Sequence, residues 1–169
     1  MIAQIQGAFP QIANCLSTFN DIHKYIFENN QLGRGVFVNA TDNHHLYIEN
    51  RTNLNIHFIQ NDDCVMIDVK GGQCDYIIFN SRDLHFIDVK VTLSVGRYSN
   101  HRKKAYCQIE NTYKYYADRV QFSNDYLLFG LVCFPSRRRI VKSSALTKRK
   151  EFKTKYNIDL KEGNYILFE

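Results

Sequence analysis

Proline is scarce in this chain, with two among 169 residues, and no low-complexity tract interrupts it, which argues against a protein dominated by disorder. No stretch approaches the ~20 apolar residues that a membrane helix needs. The opening residues, MIAQIQGAFPQIANCLSTF, lack the basic flank and continuous apolar run of a signal peptide. An intracellular, cytoplasmic protein with no membrane partner is the expectation. Cysteine is present but unpatterned: Cys15, Cys64, Cys74, Cys107 and Cys133 show neither CxxC nor Cys/His ligand spacing, which argues against structural zinc. Their odd number, the missing secretory signal and the apolar neighbours of four of them predict small core residues rather than a disulfide framework.

The length suits one domain over residues 1–169, with a core over about 64–134 and a basic region over about 137–155. Between Arg137 and Lys155 nine Lys/Arg face one acid, Glu151; that stretch is +8, which leaves −3 for the remainder of a +5 chain. Such asymmetry suits a phosphate backbone, because each cation set near a phosphate releases a condensed counterion. Arg137, Arg138, Arg139, Lys142, Lys148 and Arg149 are the candidate nucleic-acid contacts. The competing explanation is a solvated basic helix face without a partner.

FPQIANCLSTFNDIHKYIFENN reads as a helix with Pro10 in its first turn and a stripe of Ile12, Leu16, Phe19, Ile22, His23 and Ile26. The segments VFVNA, HHLYIEN and NIHFIQN are short, β-prone and separated by Asn/Asp-rich turns. CVMIDVK, CDYIIF and LHFIDVKVTLS read as three strands in two hairpins, turning at Gly71-Gly72 and at Asn80 to Asp83. Arg102 to Val120 is predicted helical with Ala105, Ile109, Tyr113, Tyr116 and Val120 on one face, and YLLFGLVCF has the unbroken apolar run of a buried strand. Strand, helix and buried strand in that order imply a parallel crossover. A further helix is expected around Ala145 to Tyr156, and NYILF forms a last strand or a docked tail.

The second hairpin carries the chemistry. If Phe79 faces Leu84 across the turn, Ile77 pairs with Phe86 and Asp75 with Asp88. Lys90 then shares the face of Asp88, since side chains on a strand repeat every two residues. Two carboxylates set opposite one another repel, and burial raises their pKa values further. A divalent cation relieves this, and Mg²⁺ is commonly held by one or two carboxylates with water and phosphate. A two-residue Gly71-Gly72 turn adds Asp68 opposite Asp75, whereas a turn longer by one residue sends Asp68 to the other face. The alternative is a salt-bridge cluster on an ordinary sheet. Lys104, Gln108, Asn111 and Tyr115 form a polar stripe beside the apolar face of the following helix, placed to touch a substrate backbone. His44 and His45 lack a ββα-metal pattern, and His85 falls on the face opposite Asp88.

Asp75, then Asp88-Val89-Lys90 closing the next strand, then a helix bearing Gln108, resembles the PD-(D/E)xK nuclease superfamily, over roughly residues 64–134. Cys74 stands where many members have the proline. The resemblance implies an α/β (α+β mixed sheet) fold with a restriction-endonuclease-like core, a central mixed sheet flanked by helices. It also implies Mg²⁺ (or Mn²⁺) bound by Asp75, Asp88 and the Val89 carbonyl, Lys90 assisting the attacking water, and Gln108 at the site. The first-helix glutamate of many members has Glu28 as its counterpart, which by helical angle points away from the Ile12/Leu16/Phe19 stripe.

Three functions compete. The first is a metal-dependent nuclease, DNA being favoured over RNA by the resemblance, with a possible homodimer for cutting both strands. The second is a catalytically inactive nucleic-acid-binding or protein-interaction module of the same fold, and the third an unrelated interaction protein.

Overall fold

A computed structural model describes residues 1–29, 31–67, 69–91, 98–123, 125–135 and 143–169. Among them the chain forms α1 (Ile2–Ala8), a 3-10 turn (Pro10–Asn14), β1 (Leu16–Phe19), β2 (His23–Asn29), β3 (Arg34–Val38), β4 (Leu46–Asn50) and β5 (Ile56–Gln60). There follow β6 (Tyr76–Phe79), β7 (Asp83–Val89), α2 (Tyr98–Ala117), β8 (Leu127–Cys133), α3 (Ser143–Tyr156), β9 (Ile158–Gly163) and β10 (Tyr165–Phe168). No helix among the described residues is long and apolar enough to cross a membrane.

The strands make a six-stranded mixed sheet, β1-β5-β6-β7-β8-β9, and a four-stranded sheet, β10-β4-β2-β3. Pairing is antiparallel from β1 to β7 and parallel from β7 through β8 to β9. Alternation along each strand sorts side chains to two faces. Ile77, Phe79, Leu84, Phe86 and Val132 join Ile5 and Phe9 from the N-terminal segment, Ala105 and Ile109 from α2 and Phe152 from α3 in one core. Tyr76, Ile78, Ile87, Leu131 and Cys133 meet Ile26, Leu46, Ile48 and Phe168 in the other. Helices therefore cover one face of the large sheet, and the small sheet covers the other where helices on both sides were expected. Gly130 sets the spacing under α2: a Cβ there would come within 2.8 Å of Leu160 Cδ1 and 3.1 Å of Ile109 Cγ2.

The class is α/β with mixed sheets, as expected, but the N-terminal third departs from its predicted helix. Phe9 to Asn29 gives the 3-10 turn and two strands instead. The stripe is split: Ile12 enters the helix-side core, Phe19 and Ile26 the intersheet core, and Ile22 is 56% exposed. HKYIFEN alternates as well as it repeats every 3.6 residues, and its β-branched and aromatic content lets pairing with β3 and β4 decide. The first hairpin is also absent. β5 takes the place beside β6, and residues 61–67 and 69–75 contain only turns and one bridge, Asp62 with Met66. Gly71 and Gly72 (φ 97 and 78) bend this loop rather than joining two strands.

The second hairpin has the predicted register, Phe79 with Leu84 and Ile77 with Phe86. Asn80 shapes its turn by accepting from the Arg82 and Asp83 amides. The crossover β7-α2-β8 and the helix before β9 also match. Contrary to expectation, Cys15 and Cys64 are joined in a disulfide, which sequence spacing hides because the partners are 49 residues apart.

Candidate active site

Asp75 immediately precedes β6 and Asp88 is the penultimate residue of β7; the Tyr76–Ile87 pair brings their positions alongside at the carboxyl end of β7. The Val89 amide donates to Asp75 Oδ2 at 2.5 Å, so Val89 meets the acid through its N–H. Lys90 follows the strand, its own amide held by the Cys133 carbonyl of β8, and its Nζ lies 2.7 Å from Asp88 Oδ2. Asp88 is fully buried and its Oδ1 has no hydrogen-bond partner.

Burial pushes the Asp88 carboxyl well above the usual range, and the neighbouring Asp75 pushes it further against Lys90 and Lys104. Burial likewise raises Asp75, opposed by Lys90 and the Val89 amide. A third acid joins from β2. Glu28 is pushed up to about 7 by burial and then by Asp75 and Asp62, and its Oε2 is buried without a partner. As a strand residue Glu28 points toward the acids, correcting the orientation derived from a helix. Asp62 accepts from Gln73 Nε2 at 2.5 Å, across the mouth of the 61–75 loop.

Helix α2 fixes that loop. Gln108 Nε2 donates to the Gln73 carbonyl at 2.7 Å, Asn111 Nδ2 to the Gly71 carbonyl at 2.7 Å, and Thr112 Oγ1 accepts from the Cys74 amide at 2.9 Å. Asn61 closes its base through the Cys74 carbonyl and the Tyr116 hydroxyl. Of the polar stripe, Gln108 and Asn111 thus contact protein backbone. Gln108 retains a buried, unpartnered Oε1. Lys104 is exposed, and its charge lowers both aspartates. Tyr115 packs on Phe9 at 5.7 Å under the Arg119 guanidinium, as part of the helix contact with the N-terminal segment.

Asp68, Arg137, Arg138, Arg139 and Lys142 lie outside the described residues. Lys148 pairs with Glu151 at 2.9 Å, and Arg149 is half-buried with its Nε unpartnered.

Sequence reasoning missed Asp62, the inward aim of Glu28, and Glu162. Register places Glu162 of β9 level with Val132 and Asp88 on the same face of the sheet. It accepts from Tyr98 (3.2 Å), Arg102 (3.0 Å) and Tyr106 (2.7 Å), tying the edge strand to α2. No local motif announces this network, since its members are about sixty positions apart in a chain without repeats.

Two buried carboxylates with raised affinity for protons, and unpartnered oxygens on Asp88 and Glu28, are donors that suit a hard cation retaining part of its water shell. Among the described residues no three His, Cys, Asp or Glu side chains are gathered tightly enough to enclose a metal by themselves. Compared with family models, curated proteins and solved structures, the chain matches none.

Proposed function

We propose that this protein is a metal-dependent nuclease hydrolysing phosphodiester bonds, acting as a DNA endonuclease through Asp75, Asp88-Val89 and Lys90. The observation that supports it best is the meeting of Asp75, Asp88 and Lys90 at one strand end, under a helix and beside a parallel strand. Asp75 and Asp88 would hold Mg²⁺ or Mn²⁺. Such a cation, when bound, supplies a Lewis acid that favours hydroxide over water at neutral pH. Lys90, whose amide is held by β8 and whose ammonium meets Asp88, would orient the attacking water and donate to a phosphate oxygen. The raised pKa values of Asp75 and Asp88 leave them partly protonated at neutral pH until a cation displaces the protons. The basic residues of α3 supply sequence-independent attraction to the backbone.

The reading is tested with supercoiled plasmid, linear duplex, single-stranded DNA and RNA, each with Mg²⁺, with Mn²⁺ and with chelator. Metal-dependent cleavage of DNA that disappears in Asp88→Ala and Lys90→Ala is expected. Equal cleavage by wild type and Asp88→Ala overturns it.

One observation favours a second reading, an inactive nucleic-acid-binding module of the same architecture. Lys90 is committed to Asp88 and Gln108 to the Gln73 carbonyl, so both are occupied by structure. That module binds nucleic acid with a salt-dependent affinity but cleaves none of the four substrates with either metal.

A further inference from the structure

The small sheet turns one face to the large sheet, where Ile26, Leu46, Ile48 and Phe168 enter the intersheet core. Alternation sends Tyr25, Tyr47 and Tyr165 to its other face, which no described helix or strand covers. Register sets the three tyrosines in one row: Tyr25 of β2 is opposite Tyr47 of β4, and Tyr47 is opposite Tyr165 of β10. Phe27 carries the ring surface further along β2.

The rings are held in place. Tyr25 stacks on Tyr47 at 4.9 Å, Tyr47 meets Tyr165 at 5.3 Å, and Phe27 lies on the His45 ring at 4.5 Å. Two hydroxyls are tied to neighbouring strands, Tyr47 at 2.9 Å from His23 Nδ1 and Tyr165 donating to Glu49 Oε2 at 2.6 Å, so these rings lean across the sheet instead of standing free in water. Cross-strand ring pairs stabilise a sheet by roughly 0.2–1 kcal/mol each whether or not anything covers them. The charges around the rings point to more than that.

Arg34, exposed on β3, is level with Asn29 at one end of β2, and Arg51 follows β4 beyond the other end, where His23 pairs with Glu49. Strand β2 spans roughly 20 Å between them at ~3.3 Å per residue. Glu49 is the one acid that the strands place on this face among the described residues. Arg51 meets it through Nε at 2.6 Å, which leaves the terminal guanidinium nitrogens for a further anion. The aliphatic side chains, Val36, Val38 and Leu167, sit on the edge strands β3 and β10, so rings dominate the centre. Flat rings flanked by guanidinium groups are complementary to bases flanked by phosphates. The upper end of the face also adjoins the acids: Phe27 precedes Glu28, whose amide donates to His45 Nδ1 at 3.0 Å and whose carboxyl feels the Asp75 charge.

We propose that the outer face of the small sheet binds single-stranded nucleic acid, with bases stacking on Tyr25, Tyr47 and Phe27 and phosphates meeting Arg34 and Arg51. This deepens the nuclease reading, on which it rests for its use, by naming single strands as the substrate class.

Fluorescence anisotropy of the full chain with a labelled oligodeoxythymidine of about twelve nucleotides, in chelator so that no cleavage intervenes, tests this. Tyr25→Leu and Tyr47→Leu should each weaken binding about tenfold, while the weaker binding of a duplex of the same length stays unchanged. Arg34→Gln, which touches no ring, should weaken the single strand and reduce the slope of log K against log salt by about 0.7. If the ring variants do not fold, that slope and the wild-type preference for single strands over duplex decide. Single-strand affinity unchanged in all three variants, no preference for single strands, or self-association that Tyr47→Leu abolishes without altering oligonucleotide affinity overturns the proposal. Ring-dependent binding by a chain that cleaves nothing sinks the nuclease reading and upholds this one; metal-dependent cleavage with ring-independent binding does the reverse.

Discussion

The Lys90 ammonium stands 2.7 Å from Asp88 Oδ2, with the lysine side chain 12% exposed and the aspartate fully buried. Removing one member of such a pair strands the other charge in a low dielectric, while removing both is far milder. Lys90→Met should lower stability at pH 8 by about 3 kcal/mol, and adding Asp88→Asn should recover most of it. Urea denaturation of the two single variants and the double variant checks this. A double variant no more stable than Lys90→Met would mean the pair is not coupled. The same single substitutions should reduce cleavage at least about a hundredfold.

Stability should depend on pH with an unusual sign. Asp75, Asp88 and Glu28 are all raised, Glu28 to about 7, so the folded chain keeps protons that the unfolded chain has released. The stabilising difference is complete below the unfolded carboxylate pKa of ~4 and is lost as pH rises through the folded values, about 6 for Asp75 and about 7 for Asp88 and Glu28. Without divalent metal, Tm should fall from about pH 5 to about pH 8. Glu28→Gln should flatten that slope, and Mg²⁺ should raise Tm more at the upper end, where the carboxylates are ionised. Burial holds His85, His45 and His57 low, and these imidazoles add stability as pH rises toward ~6.5, so the acids are read from the wild type minus Glu28→Gln difference; a difference that grows with pH contradicts their arrangement.

The Cys15–Cys64 disulfide closes a loop of 49 residues and joins the start of β1 to the loop that leads into Asp75. Chain-entropy reasoning assigns a cross-link of this span about 4 kcal/mol. Denaturation with and without a dithiol reductant should show a loss of that order, matched by Cys15→Ser without reductant. Identical midpoints would show that the cross-link adds nothing to stability.

Glu162 accepts from three donors and pairs with Arg102 at 3.0 Å, the two side chains being 10% and 6% exposed. Glu162→Ala should cost about 3–5 kcal/mol by leaving Arg102 buried without its counter-charge. Glu162→Gln should cost less, because its one amide oxygen still accepts at one of the two positions, from Tyr106 or from Tyr98 and Arg102. Hydrogen exchange should localise the loss to β9 and α2.

Legibility followed how local each feature is. The β6–β7 register was readable because a short turn with Asn80 leaves little freedom and the apolar residues on both strands agree on one pairing. α2 was readable from its stripe, since Ala105, Ile109 and Tyr116 are all fully buried. Phe9 to Asn29 was misread because its apolar residues satisfy both helical and strand periodicity, and only partners distant in sequence decide between them. The CVMIDVK strand failed for the same reason: its composition is β-prone, but Ile56–Gln60 occupies the position beside β6.

By itself the sequence determined the paired aspartates, the lysine two residues on, the helix above them and the basic C-terminal region, because each depends on spacing within one short segment. Tertiary structure alone decided that Glu28 and Asp62 join the acids, that Gln108 and Asn111 clamp a loop, and that Cys15 meets Cys64. It also decided that Glu162 sits level with Asp88. Those relationships arise where strands from distant parts of the chain are laid side by side, and neither a strand's neighbours nor the direction of its face is encoded within the strand.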